Sequence, residues 1–144
     1  MSEAACSLMW TILKMAERFA GTIEPFDEPT FSVPHEDIWL AWGETVAIYL
    51  TDKFYPGCKI GGVGIFTLDP GQVHIAHQDI QPPEWLVRVH LPIQTNLHCF
   101  ASSDDGYHAM ELGKAYKFNT LRTHAVANAG KTPRVHLVFD IKEQ

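Results

Sequence analysis

At 144 residues and 16.2 kDa the chain has the length of one domain, able to bury a core without disulfide or metal staples. A hydrophobic share of 46% with 19% charged residues argues against disorder, and a net charge of −6 argues against gripping nucleic acid by neutralising phosphates. Cys6, Cys58 and Cys99 are widely spaced and form no CxxC pair, which argues against a zinc ribbon or redox dithiol and suits reduced thiols in a cytoplasmic protein.

The first element expected is a helix. Ala5, Leu8, Met9, Ile12, Leu13, Ala16 and Phe19 recur at helical spacing, with Ser2 as N-cap and Gly21 as stop. Its polar face has no Lys/Arg cluster, so the stripe is expected to pack on the chain's own sheet and not on a membrane. Glu3 comes early and Lys14 and Arg18 late, the reverse of a secretory signal, and no apolar run approaches the ~18 residues of a membrane span. Residues 21–44, with Pro25, Pro29 and Pro34, read as an extended connector. Short β-rich runs follow at 45–50, 60–68, 73–77, 85–93, 97–101, 108–112, 115–118, 124–128 and 134–141. Asp69-Pro70-Gly71, Gln81-Pro82-Pro83, Ser103-Asp104-Asp105-Gly106 and Ala129-Gly130-Lys131 mark turns between them. Many short strands at this spacing predict an all-β core, sandwich or barrel, behind an N-terminal α-helix. The expected organisation is a single domain over 1–144, with the helix in 1–20, the connector in 21–44 and the β core in 45–142.

Two of these strands share a tetrapeptide, Arg-Val-His-Leu at 88–91 and again at 134–137. Side chains alternate across a strand, so Arg88 and His90 share one face while Val87, Val89 and Leu91 share the other. Arg134 and His136 likewise oppose Val135, Leu137 and Phe139. A buried face would carry two arginines only if something anionic met them; the plainer alternative puts these polar rows in solvent.

His77-Gln78-Asp79 sets an imidazole and a carboxylate on one side of a strand end, able to reach one metal. A second histidine from a distant strand would complete a triad of two histidines and one carboxylate, the arrangement that leaves open positions on non-haem Fe(II). A second copy of the spacing, His35-Glu36-Asp37, follows Pro34 in the connector, with no arginine-bearing strand close behind it.

Between residues 61 and 141 the chain resembles the aspartyl/asparaginyl β-hydroxylase family of Fe(II)/2-oxoglutarate oxygenases. The residues that carry the resemblance are Asp69-Pro70-Gly71, His77-Gln78-Asp79 and Arg88-Val89-His90-Leu91-Pro92-Ile93. Further on come Phe118-Asn119, His124-Ala125-Val126-Ala127-Asn128-Ala129-Gly130 and Arg134-Val135-His136-Leu137-Val138-Phe139-Asp140. The resemblance implies a double-stranded β-helix, the cupin-like jelly roll, with His77, Asp79 and His124 as iron ligands at the catalytic centre. It implies that Arg134 binds the distal carboxylate of 2-oxoglutarate and that Arg88 and His90 steady this co-substrate. The cofactors implied are Fe(II), 2-oxoglutarate and dioxygen (O2), and the reaction couples oxidative decarboxylation to C–H hydroxylation of an amino-acid or peptide-type substrate. Some animal members lack the carboxylate ligand; this chain keeps Asp79, as do the bacterial members and those acting on small substrates. Phe66 falls near a position where a hydroxyl helps hold the co-substrate, with Thr67 beside it.

The guanidinium fork of arginine suits a carboxylate in a dry pocket better than a lysine ammonium does. Strand alternation turns His74 away from His77, which marks it as structural. His98 and His108 read as surface residues, and His136 as either a pocket residue or a satisfied core histidine. Trp85, Phe100, Tyr107 and Tyr116 read as barrel packing, with the pocket mouth as the alternative, and the 81–84 and 102–106 segments as rim loops that set specificity. Expected partners are a small-molecule or peptide substrate, with no nucleic acid and no membrane. The competing readings are a non-catalytic cupin-type module that binds a small anionic ligand through Arg88 and Arg134, and a jelly-roll isomerase or similar enzyme using the same ligands with another ion.

Overall fold

The computed structural model describes residues 23–79 and 84–143. The helix expected in 1–20 and the turn at Gln81-Pro82-Pro83 lie outside these residues. The described chain runs β1 (Ile23–Pro25), a 3-10 turn (Glu36–Ile38), α1 (Trp39–Phe54), β2 (Lys59–Leu68), β3 (Val73–His77), β4 (Trp85–Gln94) and β5 (Cys99–Ser103). It continues through β6 (Gly106–His108), β7 (Tyr116–Phe118), β8 (His124–Asn128) and β9 (Arg134–Lys142). Two antiparallel sheets result, a large one ordered β1-β7-β4-β9-β2 and a small one ordered β3-β8-β5-β6. This is the jelly-roll arrangement. Among the described residues no helix is long and apolar enough to cross a membrane.

One expected strand is wrong. Residues 45–50 belong to α1, whose buried positions Gly43, Val46, Ala47, Leu50 and Thr51 fall three or four apart. The run Thr45-Val46-Ala47-Ile48-Tyr49-Leu50 is rich in β-branched and aromatic residues, and tertiary packing overrides that preference. Gly43 shows how close the packing is: a Cβ there would collide with the Leu137 side chain on β9. The connector is also less empty than expected, since β1 pairs with β7 through Ile23 opposite Phe118. The run expected at 108–112 leaves the sheet after His108.

Among the described residues there are two cores, one on each face of the large sheet. On the outer face Val87, Val89, Leu91 and Ile93 of β4 join Val135, Leu137, Phe139 and Ile141 of β9 and meet Val46, Ala47 and Leu50 of α1. On the inner face, between the sheets, lie Ile23, Leu68, Ala101, Tyr116, Phe118 and Val126. The apolar rows of the two Arg-Val-His-Leu strands therefore serve the helix side. The polar rows are turned into the jelly roll and not into solvent.

Tight turns set the register. Gln72 N–H donates to the Asp69 carbonyl at 3.0 Å across Pro70 and Gly71, and Gly71 has φ of 83°, which fits a type II turn with glycine in its third place. Gly71 N–H then donates to the Asn128 carbonyl at 2.7 Å, tying this turn to the end of β8. Asn128, 1% exposed, donates to the carbonyls of Leu68 and Thr132 at 2.9 Å each and accepts from Gly130 N–H at 3.0 Å. One buried amide thereby fixes the loop that delivers Arg134 to the start of β9.

Candidate metal centre

The ligand atoms of His77, Asp79 and His124 all lie within 4.8 Å of one another, and among the described residues this is the only cluster of three or more metal-binding groups. β3 and β8 pair so that His77 stands directly opposite His124. Asp79 follows two residues after His77, with its N–H donating to the Thr120 carbonyl at 2.8 Å. His77 Nε2 is 3.4 Å from Asp79 Oδ1, and His124 Nε2 is 4.0 Å from Asp79 Oδ2. Each histidine has its other ring nitrogen on a backbone carbonyl: His77 Nδ1 on Ile75 at 2.7 Å, His124 Nδ1 on Arg122 at 2.8 Å. A carbonyl can only accept, so both Nδ1 atoms carry the proton and both Nε2 lone pairs face the gap between the rings. This donor set fits a divalent cation that accepts imidazole and carboxylate together. The second copy of the spacing fares differently. His35 and Asp37 sit on the exposed 3-10 turn, with side chains 75% and 81% accessible, and they bring no third donor.

The cluster forms one part of a cavity of about 210 Å³ that includes Phe66, His74, Arg88, His90, Val126 and Arg134 in its lining. Arg134 is 6% exposed, and its Nε has no hydrogen-bond partner. Burial pushes its pKa down, and the charge is retained because guanidinium starts so far above neutrality. A buried guanidinium with one unmatched donor, set in the lining of a cavity, suits an anionic group. Arg88 differs. Its Nε and Nη2 donate to Asp140 Oδ1 and Oδ2 at 2.9 and 3.2 Å, a two-pronged contact. Burial would lower its pKa, but the bond to Asp140 and the charges of Asp140 and Asp79 outweigh that and raise it.

His90, in the cavity lining, meets His136 Nδ1 to Nδ1 at 3.1 Å. Burial first, then Arg134 and Arg88, hold the His90 imidazole down at about 3, and the same burial keeps His136 well below the usual range. Both rings are neutral at pH 7, which keeps the floor polar without adding positive charge. His90 lines the cavity; His136 does not, and borders instead a small void on the far side of Arg134.

Two expectations need revising, on His74 and on the aromatic residues, and the side taken by Thr67, left open by the sequence, is now plain. His74 faces the cavity, because a register shift between His74 and His77 breaks the alternation that would have turned it away. Thr67 stands opposite Val135, on the helix-side face, while Phe66 stands opposite His136 and takes the cavity side. Phe100 and Tyr107 do not pack the barrel; they are 41% and 83% exposed. Of the rim loops, the 103–106 turn is held to the segment before His124 by Arg122, whose Nε is 3.2 Å from Asp104 Oδ2, and it does not line the cavity. Residues 81–83 lie outside the described chain. Asp140 and Thr120 were missed as site residues. Asp140 was within reach, being six residues past Arg134 and so on the same strand face.

A sequence model of the family described as Aspartyl/Asparaginyl beta-hydroxylase matches residues 33–144. The chain is 33% identical over 69 residues to L-proline cis-4-hydroxylase of Rhizobium meliloti (strain 1021), a stretch covering 47% of this chain and 25% of that protein. The chain thus spans a quarter of the length of that curated relative. In fold it is similar to a Pseudomonas putida prolyl-4-hydroxylase, with TM-score 0.51, 18% identity and 97% and 88% of the two chains covered. It is similar also to a collagen prolyl hydroxylase of Paramecium Bursaria Chlorella virus-1, with TM-score 0.54, 13% identity and 100% and 87% covered. With the family match spanning over three-quarters of its length, the chain belongs to the aspartyl/asparaginyl β-hydroxylase family.

Proposed function

We propose that this protein is an Fe(II)/2-oxoglutarate-dependent hydroxylase, with His77, Asp79 and His124 holding the iron and Arg134 the distal carboxylate of the co-substrate. The observation that carries this reading is the pairing, in one cavity, of a three-donor cluster with a buried guanidinium that has an unmatched donor. Bound there, Fe(II) would supply dioxygen activation coupled to oxidative decarboxylation of 2-oxoglutarate, chemistry no side chain provides. The chain contributes placement. Fixed tautomers aim two imidazoles, Arg134 sets the keto diacid's orientation by its far end, and Phe66, Phe118, Val126 and Val138 limit water around the reacting groups. The neutral His90 can exchange hydrogen bonds with the co-substrate without competing with Arg134 for its charge.

The substrate proposed is an amino acid or a peptide side chain. The names of the relatives put free proline and prolyl peptides first on a panel, and the family's description adds aspartyl and asparaginyl peptides. Fe(II) and 2-oxoglutarate added without oxygen should give a visible charge-transfer band that Asp79→Ala or His124→Ala weakens or removes. With oxygen and a true substrate, succinate should appear together with a product about sixteen daltons heavier, the mass of the oxygen atom inserted. Absence of both the band and succinate across the panel refutes the hydroxylase. Equal binding of dicarboxylates with a chelator present would favour the anion-binding module instead.

A further inference from the structure

β3 breaks strict alternation at one point, and the break faces the cavity. His74 pairs with Val126 and His77 with His124, so three steps along β3 answer two along β8. The extra residue is a bulge, which brings both imidazoles to the same side of the small sheet. His74 thereby joins the lining of the cavity that holds the metal cluster. β8 runs from His124 at the cluster to Asn128, whose amide fixes the loop that delivers Arg134. With Val126 as its partner, His74 stands between the cluster and Arg134, two β8 residues or roughly 7 Å from the level of His77. That span is comparable to the extended length of a five-carbon diacid.

A carboxylate offers two acceptor oxygens, and Arg134 approaches the cavity from β9 alone. Few other lining groups have a donor to give. At the cluster end Arg88 is bonded to Asp140 and lies beside Asp79, and His90 is bonded to His136. Phe66 has no donor, and Thr67 next to it stands opposite Val135 on the helix-side face. His74 has no hydrogen bond or ion pair with another described residue. We propose that His74 is a second anchor for the distal carboxylate of the keto diacid, donating an imidazole N–H from the small sheet while Arg134 grips the same group from the large one. This rests on the hydroxylase reading above, and it gives a ligand contact to a histidine that strand alternation alone marks as structural. Held from both sheets, the diacid has its length measured between metal and carboxylate, and a keto monoacid forgoes the contact.

The test compares two keto acids by the visible band each forms with Fe(II) on the full chain without oxygen. 2-Oxoglutarate carries the distal carboxylate, and 2-oxobutyrate lacks it. His74→Leu and His74→Ala should each weaken 2-oxoglutarate by about tenfold, the size of one hydrogen bond to a charged group, and leave 2-oxobutyrate and the Fe(II) titration itself within about threefold. His74→Gln, which keeps an N–H donor, should recover part of the loss. Arg134→Lys should also lose 2-oxoglutarate, and adding His74→Leu to it should cost less than the two single losses combined, since both groups hold one carboxylate. Two variants are used so that a failure of either to fold, read by circular dichroism, leaves the other to decide. Equal weakening of both keto acids would place His74 at the metal end, and unchanged affinity for both would put it outside the co-substrate site; either result overturns the inference. A wild type that forms no band with 2-oxoglutarate refutes the hydroxylase reading itself.

Discussion

Arg134 is kept buried at a cost in stability that a ligand is needed to offset. Its Nε lacks a partner inside the fold, and an unmatched polar group of this kind costs about 1–3 kcal/mol, more when charged. Arg134→Leu is therefore expected to raise the melting temperature of the ligand-free protein while abolishing the rise that 2-oxoglutarate gives the wild type, both read by thermal denaturation. A lower melting temperature in the variant would mean the guanidinium has a stabilising partner. The three metal-cluster residues were legible in the sequence because spacing and strand ends brought them forward. His74 and Thr67 were not legible in their orientation. A bulge reverses His74, and only the pairing partner Val135 tells which way Thr67 points. Asp140 needed the β4–β9 register as well, since its meaning comes from the residue across the ladder.

At the scale of elements, β4, β8 and β9 were readable because polar and apolar residues largely alternate along them and Ala129-Gly130-Lys131 marks the turn between β8 and β9. α1 was not, since its middle is built from strand-favouring residues and its helical character comes from docking on Leu137 and its neighbours. β1 is three residues long and has no alternation to read. The strand that carries His77 is the most weakly held part of the site. Among the described residues β3 is an edge strand, paired only with β8 and through a shifted register, and all five of its residues are exposed. Hydrogen exchange should be fast along β3 in metal-free protein and slow when Co(II) ties His77 to His124, with β9 unchanged. Equal protection of β3 in both states would show that the sheet alone holds the ligand in place.

For the whole molecule, the neutral histidine pair makes stability depend on pH. His90 titrates at about 3 in the fold and near its ordinary value of 6.5 when unfolded, and His136 is shifted in the same direction. Between those values the unfolded chain binds more protons, so stability is full above pH 6.5 and falls as pH drops toward 3. The slope for one such group reaches about 1.4 kcal/mol per pH unit. Denaturant melts between pH 7 and pH 4.5 should show this loss, and His136→Gln should reduce it; a profile flat in the wild type would mean the pair takes up protons alike in the folded and unfolded chain. The two faces of β4 and β9 have one last implication. Val89 and Leu137 seat the helix while Arg88 and Arg134, on the reverse of the same ribbons, line the cavity. Deleting a single residue from the middle of either strand would swap its faces beyond the cut, stranding a guanidinium in grease and a valine in the cavity. Neither ribbon can change its count by one and keep both its shape and its chemistry.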